Sequence, residues 1–210
     1  TISISPNGKY LFSGSTNKTL KVWNLQTKKL LFALKNYFSR FNEPTTVTIT
    51  PDGKHLISGS KDKTIKIWNL ETKKHFTLTG HGDSVNTISV TPDGKYLISG
   101  SDDKTIKIWN LKTKKEIFTL KGHTDSINAI KLTSNGQLVI SASSDKTIQV
   151  WDFVTREIIA KFTGESAIKC CAVAPDDVTI VASDISGHVH YLRLEGIEMY
   201  LKDKRVAFKG

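Results

Sequence analysis

Between residues 105 and 111 apolar and polar side chains alternate, with Thr105 and Lys107 interleaving Ile106 and Ile108. A period of two puts alternate side chains on opposite faces, so this stretch reads as a half-buried strand. Residues 85–91 and 96–101 read the same way, and Pro92-Asp93-Gly94 lies between them. Proline presets φ and glycine admits a positive φ, which makes that tripeptide a hairpin turn. Asp102-Asp103-Lys104 then turns the second strand into the third, and Lys112-Thr113-Lys114 leads into a fourth over 116–120. The predicted unit is an antiparallel meander of four strands.

The same order of residue types returns along the chain. Trp23, Trp68, Trp109 and Trp151 stand 45, 41 and 42 residues apart, a period that belongs to propellers and solenoids. Each tryptophan marks the third strand of one module, and five modules are predicted at 1–34, 45–78, 85–120, 127–162 and 168–194. The first carries Asn17 where the third has Asp103, and no Gly-His precedes it. The fifth has Gly164-Glu165 in place of Gly-His, Ser186 at the Asp103 position and Leu192 at the tryptophan position. Residues 35–43 form the most individual linker; its Tyr37, Phe38 and Phe41 are expected either to plug neighbouring strands or to meet a partner. Residues 195–210 are expected to add an outer strand at 197–201 and to end in a frayed basic tail, Lys202-Asp203-Lys204-Arg205.

Gly80-His81, Ser99-Gly100-Ser101, Asp103 and Ile108-Trp109-Asn110 resemble the signature of WD-repeat β-propellers, and the resemblance spans residues 1 to about 194. It implies an all-β propeller of four-stranded antiparallel blades, with about five WD-type repeats and an incomplete ring. It also implies a buried hydrogen-bonded set in each blade: His81, Ser99, Asp103 and Trp109 in the third, His123, Ser141, Asp145 and Trp151 in the fourth. The second supplies Ser58, Asp62 and Trp68 without a histidine. Partners of this family dock on the loop face, which selects Ser84, Asn86, Ser126 and Asn128 at the starts of first strands and Thr16, Lys61, Asp102 and Ser144 before the turn acids. Such near-identical modules resemble the sensing or docking part of larger multidomain signalling proteins, with an upstream effector domain on the same polypeptide. The implied function is a non-catalytic scaffold for protein or peptide partners.

Charge changes this picture little. The formal net charge is +10, yet the lysines recur at fixed places, as in the Thr-Lys-Lys copies at 27–29, 72–74 and 113–115, which reads as a solvated rim. The alternative is a basic nucleic-acid-binding module, which would need a cationic stripe interleaved with stacking aromatics. Two adjacent cysteines, Cys170 and Cys171, are too few for a disulfide framework, and Cys171 aligns with core Ile88. They fit a reducing compartment, the cytoplasm. No apolar run reaches the length of a membrane-spanning helix, so no membrane association is expected. A serine, a histidine and an aspartate in each module invite comparison with a hydrolase triad, but a set that recurs with a tryptophan at its end is structural. His188 and His190 share one strand face without a convincing further ligand, so no metal is expected. No phosphate-binding glycine loop or other cofactor motif is present. Because the sequence begins at Thr1 inside a first strand, we expect a piece of a longer polypeptide; self-association and a closed ring of five modules are the alternatives.

Overall fold

The computed structural model describes residues 2–5, 7–15, 19–34, 43–196 and 207–209, and every regular element among them is a strand. The first sheet contains β1 (Ile2–Ile4), β2 (Tyr10–Ser15), β3 (Thr19–Asn24) and β4 (Lys29–Leu34). The second contains β5 (Pro44–Ile49), β6 (His55–Ser60), β7 (Ile65–Asn69) and β8 (His75–Leu78). The third contains β9 (Val85–Val90), β10 (Tyr96–Ser101), β11 (Thr105–Asn110) and β12 (Lys115–Lys121). The fourth contains β13 (Ile127–Leu132), β14 (Leu138–Ser143), β15 (Thr147–Asp152) and β16 (Ile158–Thr163). The fifth contains β17 (Ile168–Val173), β18 (Thr179–Asp184), β19 (Val189–Glu195) and β20 (Ala207–Lys209). Each sheet is an antiparallel meander in chain order, one blade.

The turn between first and second strands forms because its backbone groups are satisfied locally. In the third blade Thr91 Oγ1 donates to Asp93 Oδ1 at 2.6 Å and accepts the Tyr96 N–H at 3.0 Å. Asp93 Oδ1 also accepts the Lys95 N–H at 3.0 Å, and Gly94 sits at φ 70°, where a Cβ would be strained. Thr50 with Asp52 and Thr133 with Asn135 repeat the device. All these turns lie at one end of the blades; the turns between second and third strands lie at the other, on the loop face.

The core lies between blades. Phe12, Leu20 and Val22 of the first pack on Val47, Ile49, Leu56 and Trp68 of the second. At the same positions Ile57, Ile65 and Ile67 meet Val85, Ile88, Leu97 and Trp109. Ile98, Ile106 and Ile108 then meet Ile127, Ile130, Val139 and Trp151. Ile140, Ile148 and Val150 meet Ile168, Cys171, Ile180 and Leu192, so Cys171 packs as a small apolar side chain. Burying one such side chain contributes about 1.5–3 kcal/mol, so a blade is held mainly by its neighbours.

The inner strands β1, β5, β9, β13 and β17 pack in chain order. At the two ends the same positions lack a facing blade. Ile2 and Ile4, the counterparts of Val47 and Ile49, are 70% and 56% exposed. Val189 and Tyr191, the counterparts of Ile148 and Val150, are 52% and 71% exposed. The blades form an incomplete ring.

The outer strand paired with β19 is β20, with Arg193 opposite Lys209; the strand expected at 197–201 falls outside the described residues. Residues 197–206, with the basic tail, lie outside the described residues, as do Asn17 and the linker residues Tyr37, Phe38 and Phe41.

Candidate functional site

In the third blade four side chains meet across three elements. His81 Nδ1 lies 2.7 Å from Asp103 Oδ2, and His81 Nε2 lies 2.7 Å from Ser99 Oγ. Trp109 Nε1 donates to the same Ser99 oxygen at 2.8 Å. With the imidazole proton on Nδ1, the chain of donors runs from indole through hydroxyl to Nε2, and from Nδ1 to the carboxylate. Asp103 also accepts the Gly82 N–H at 2.8 Å and the Thr105 N–H at 2.9 Å, so it closes the loop before β9 onto the turn before β11. The fourth blade repeats the set: His123 reaches Asp145 at 2.8 Å and Ser141 at 2.7 Å, and Trp151 donates to Ser141 at 2.9 Å.

Burial pushes both imidazoles below the ordinary histidine range, and the bonds to Asp103 and Asp145 offset this only in part. Burial opposes charge on the two carboxyls as well, but hydrogen bonds from Thr105, His81 and Gly82 on one, and from Thr147, Thr124 and His123 on the other, hold them below the ordinary range. Neutral imidazole beside carboxylate is the resting state. Ser99 and Ser141 expose none of their surface, so their hydroxyls cannot meet a substrate, and their protons face the histidines.

The residues predicted for the loop face lie side by side on that face and bond one another. Asp102 N–H donates to Ser84 O at 3.0 Å and Ser144 N–H to Ser126 O at 2.9 Å. Asn86 Nδ2 donates to Asp102 Oδ1 at 2.6 Å and to Ile127 O of the next blade at 3.2 Å. Asn128 Nδ2 likewise reaches Ser144 Oγ at 2.9 Å and Ile168 O at 2.6 Å. The asparagines are therefore staples between blades, a role invisible in the sequence. Lys61 pairs with Glu43 at 2.8 Å while staying exposed, and Thr16 lies outside the described residues.

The sequence matches the family profile described as WD domain, G-beta repeat over residues 1–24, 37–69 and 72–110. Residues 123–194 match the TEP-1 C-terminal beta-propeller profile. The chain belongs to the WD-repeat β-propeller family. No curated protein sequence matches it. WD-repeat propellers typically mediate protein–protein interaction and are generally non-catalytic. Among the described residues no helix is long and apolar enough to cross a membrane.

The first, second and fifth blades depart from the set, and in the second and fifth the structure shows what replaces it. In the second, Trp68 Nε1 reaches Ser58 Oγ at a longer 3.3 Å, and Asp62 has no histidine to accept from. Lys66 takes that place: its Nζ, in a nearly buried side chain, lies 2.9 Å from Asp62 Oδ2. In the fifth blade Asp184 stands where the others have Ser60, Ser101 and Ser143. Its buried carboxylate accepts the Ser186 N–H at 2.9 Å, and its Oδ2 lies 3.4 Å from His188 Nδ1 and 3.1 Å from His190 Nε2. The two histidines thus share an acidic partner that sequence spacing did not reveal, and His190 packs on Phe162 at 5.2 Å. The described residues contain no group of three or more metal-binding side chains with metal-site geometry.

Proposed function

We propose that this WD-repeat array is a docking module whose protein or peptide partner sits on the loop face. The observation that carries this reading is one repeated position, occupied in successive blades by Lys61, Asp102, Ser144 and Ile185. Around it the frame repeats, while this position runs from cation through anion and hydroxyl to an apolar side chain that is 62% exposed. A uniform rim selects nothing, whereas four different groups at fixed spacing discriminate between partners by charge and burial. Ser84, Asn86, Ser126 and Asn128 hold those groups in place, and Thr16 extends the series to the first blade. In a longer cytoplasmic signalling polypeptide, occupancy of this face would bias an effector domain upstream.

The test is a photo-crosslinking side chain placed at 61, 102 or 144, with exposed position 137 on the opposite end of the fourth blade as control. Crosslinking of one partner from the loop face only is expected. With that partner isolated, Lys61→Glu and Asp102→Lys should each weaken binding by about tenfold or more, equivalent to about 1.4 kcal/mol. Unchanged affinity in both variants sinks the assignment. If oligonucleotides bind instead, with affinity falling linearly in the logarithm of salt concentration, the module is a nucleic-acid binder.

A further inference from the structure

At each junction between blades, one position at the start of a second strand corresponds to one at the end of the next blade's third strand. The pairs are Tyr10 with Leu70, His55 with Leu111, Tyr96 with Phe153, and Leu138 with Leu194. Tyr96 and Phe153 stack with ring centroids 5.4 Å apart, and Leu138 and Leu194 are both buried. The first two junctions, each with a leucine opposite a polar ring, stay open: Tyr10 and Leu70 line a cavity of about 380 Å³ at the first, and the second sets the imidazole of His55 opposite Leu111. There the end of the blades remote from the loop face holds a cavity of about 510 Å³, walled by Pro51, Ile67, Phe76 and Leu111. That volume suits a few side chains or a small ligand.

The rim of this cavity is cationic. Lys74, Lys112 and Lys114 line it, and none has an acidic partner among the described residues. Lys114 Nζ instead lies 4.6 Å from the centroid of Phe76, a ring that is 42% exposed. The two acids present are already engaged. Asp52 accepts from Thr50 Oγ1 and the Lys54 N–H, and Asp93 from Thr91 Oγ1, the Lys95 N–H and, at 3.3 Å, the Lys95 ammonium. His75, on the outer strand β8, stacks against the Trp68 ring at 4.5 Å and also lines the cavity.

We propose that the groove between the second and third blades binds a short acidic segment of a partner protein through one aromatic side chain. The next junction shows which chemistry fills this space, since Tyr96 and Phe153 occupy it there with their own rings. Here the ring comes from the partner, resting between Phe76 and Leu111, while carboxylates beside it in the partner meet the three unpaired lysines. The site is independent of the loop-face reading.

The probe is a blocked, fluorescently labelled pentapeptide with a central tyrosine flanked by glutamates, titrated with the full chain and followed by anisotropy. Saturable binding below ~1 mM is expected, weakened about tenfold or more when alanine replaces the tyrosine. The paired variant His55→Tyr with Leu111→Phe copies the next junction and should abolish binding without lowering the unfolding midpoint. Should that variant not fold, Lys74→Glu with Lys112→Glu provides the same loss by charge. Lys61→Glu on the loop face should leave peptide affinity unchanged. No saturable binding, equal binding by the alanine peptide, or equal binding by a folded groove-filled or charge-reversed variant overturns the proposal.

Discussion

Replacing Ser99 by alanine removes one oxygen that serves two partners. Trp109 Nε1 loses its acceptor at 2.8 Å, and His81 Nε2 loses the hydroxyl at 2.7 Å, with both groups buried. Each unpaired buried group costs about 1–3 kcal/mol, so Ser99→Ala should destabilise by about 2–6 kcal/mol. Ser58 is the matching serine in the second blade, where no histidine reaches it and the indole contact is 3.3 Å. Ser58→Ala therefore strands one weakly bonded group and should cost about 1–2 kcal/mol. Equilibrium urea unfolding followed by tryptophan fluorescence measures both. Taking the middle of each range, about 4 and about 1.5 kcal/mol, and a slope of about 2.5 kcal/mol per molar, the two midpoints should differ by about 1 M. Fluorescence and circular dichroism must give coincident transitions, because repeat arrays can unfold in stages. Midpoints within about 0.2 M of each other would refute the view that one serine completes the hydrogen-bonded set.

Three further outcomes follow from the same geometry. Because His81 and His123 have depressed pKa values in the folded chain, unfolding takes up protons. Their stabilisation is full above the ordinary histidine value of 6.5 and is lost as pH falls below it, with a second loss below 3.8 as Asp103 and Asp145 protonate; urea midpoints at pH 7.5 and 5.5 should differ, and His81→Gln with His123→Gln should flatten that difference. Gly100→Ala puts a Cβ 2.5 Å from Ile127 Cγ2 and 2.9 Å from Thr87 Cγ2, which should cost about 1–3 kcal/mol, whereas at Gly82 the nearest atom is 3.5 Å away and alanine should be tolerated in thermal unfolding. Lys66→Met takes the ammonium from Asp62, which is half-buried and keeps its Thr64 hydrogen bonds, and should lower stability by about 1–3 kcal/mol, the low side for breaking a buried pair because those bonds survive.

The frame was legible because its determinants are local. Pro92-Asp93-Gly94 carries its turn within a few residues, and alternation around Ile106 and Ile108 fixes which face is buried. His81, Ser99, Asp103 and Trp109 could be assembled by resemblance, since their spacing recurs in the fourth blade. Lys66 and Asp184 escaped for a different reason. Lys66 faces Ser58 across β6 and β7, and His190 faces Ala182 across β18 and β19, so their partners depend on strand register and on the reach of a side chain. The asparagine staples are further removed still, because Asn86 bonds a carbonyl 41 residues away on another sheet. The outer strand β20 depends on which tail segment finds the edge of β19, which alternation alone does not decide.

These departures share a logic that bears on the groove. Where the second blade lacks a histidine, Lys66 supplies the donor for Asp62. Where the fifth has Ala182 in place of the set serine, Asp184 gathers His188, His190 and the turn amides. Where the fourth has Ala142 at the position of Gly100, the facing Thr87 is replaced by Ala129, so the added methyl finds room. Gln149 is a minor exception, a buried side chain with one oxygen lacking a hydrogen-bond partner among the described residues. His55 is the larger one: it takes the place of Tyr96 without a bulkier residue at Leu111, and both line the cavity of about 510 Å³, whereas the first junction, with Tyr10 opposite Leu70, leaves about 380 Å³. His55 is half-buried, as Tyr96 is, and its ring is smaller than a phenol, so the packing lost is that of part of a ring. Filling the groove with His55→Tyr and Leu111→Phe should therefore raise the unfolding midpoint while removing peptide binding. Stability and binding moving in opposite directions would identify the space as a site kept open against the interest of the fold, whereas a fall in both would show that the pair merely fits this junction poorly.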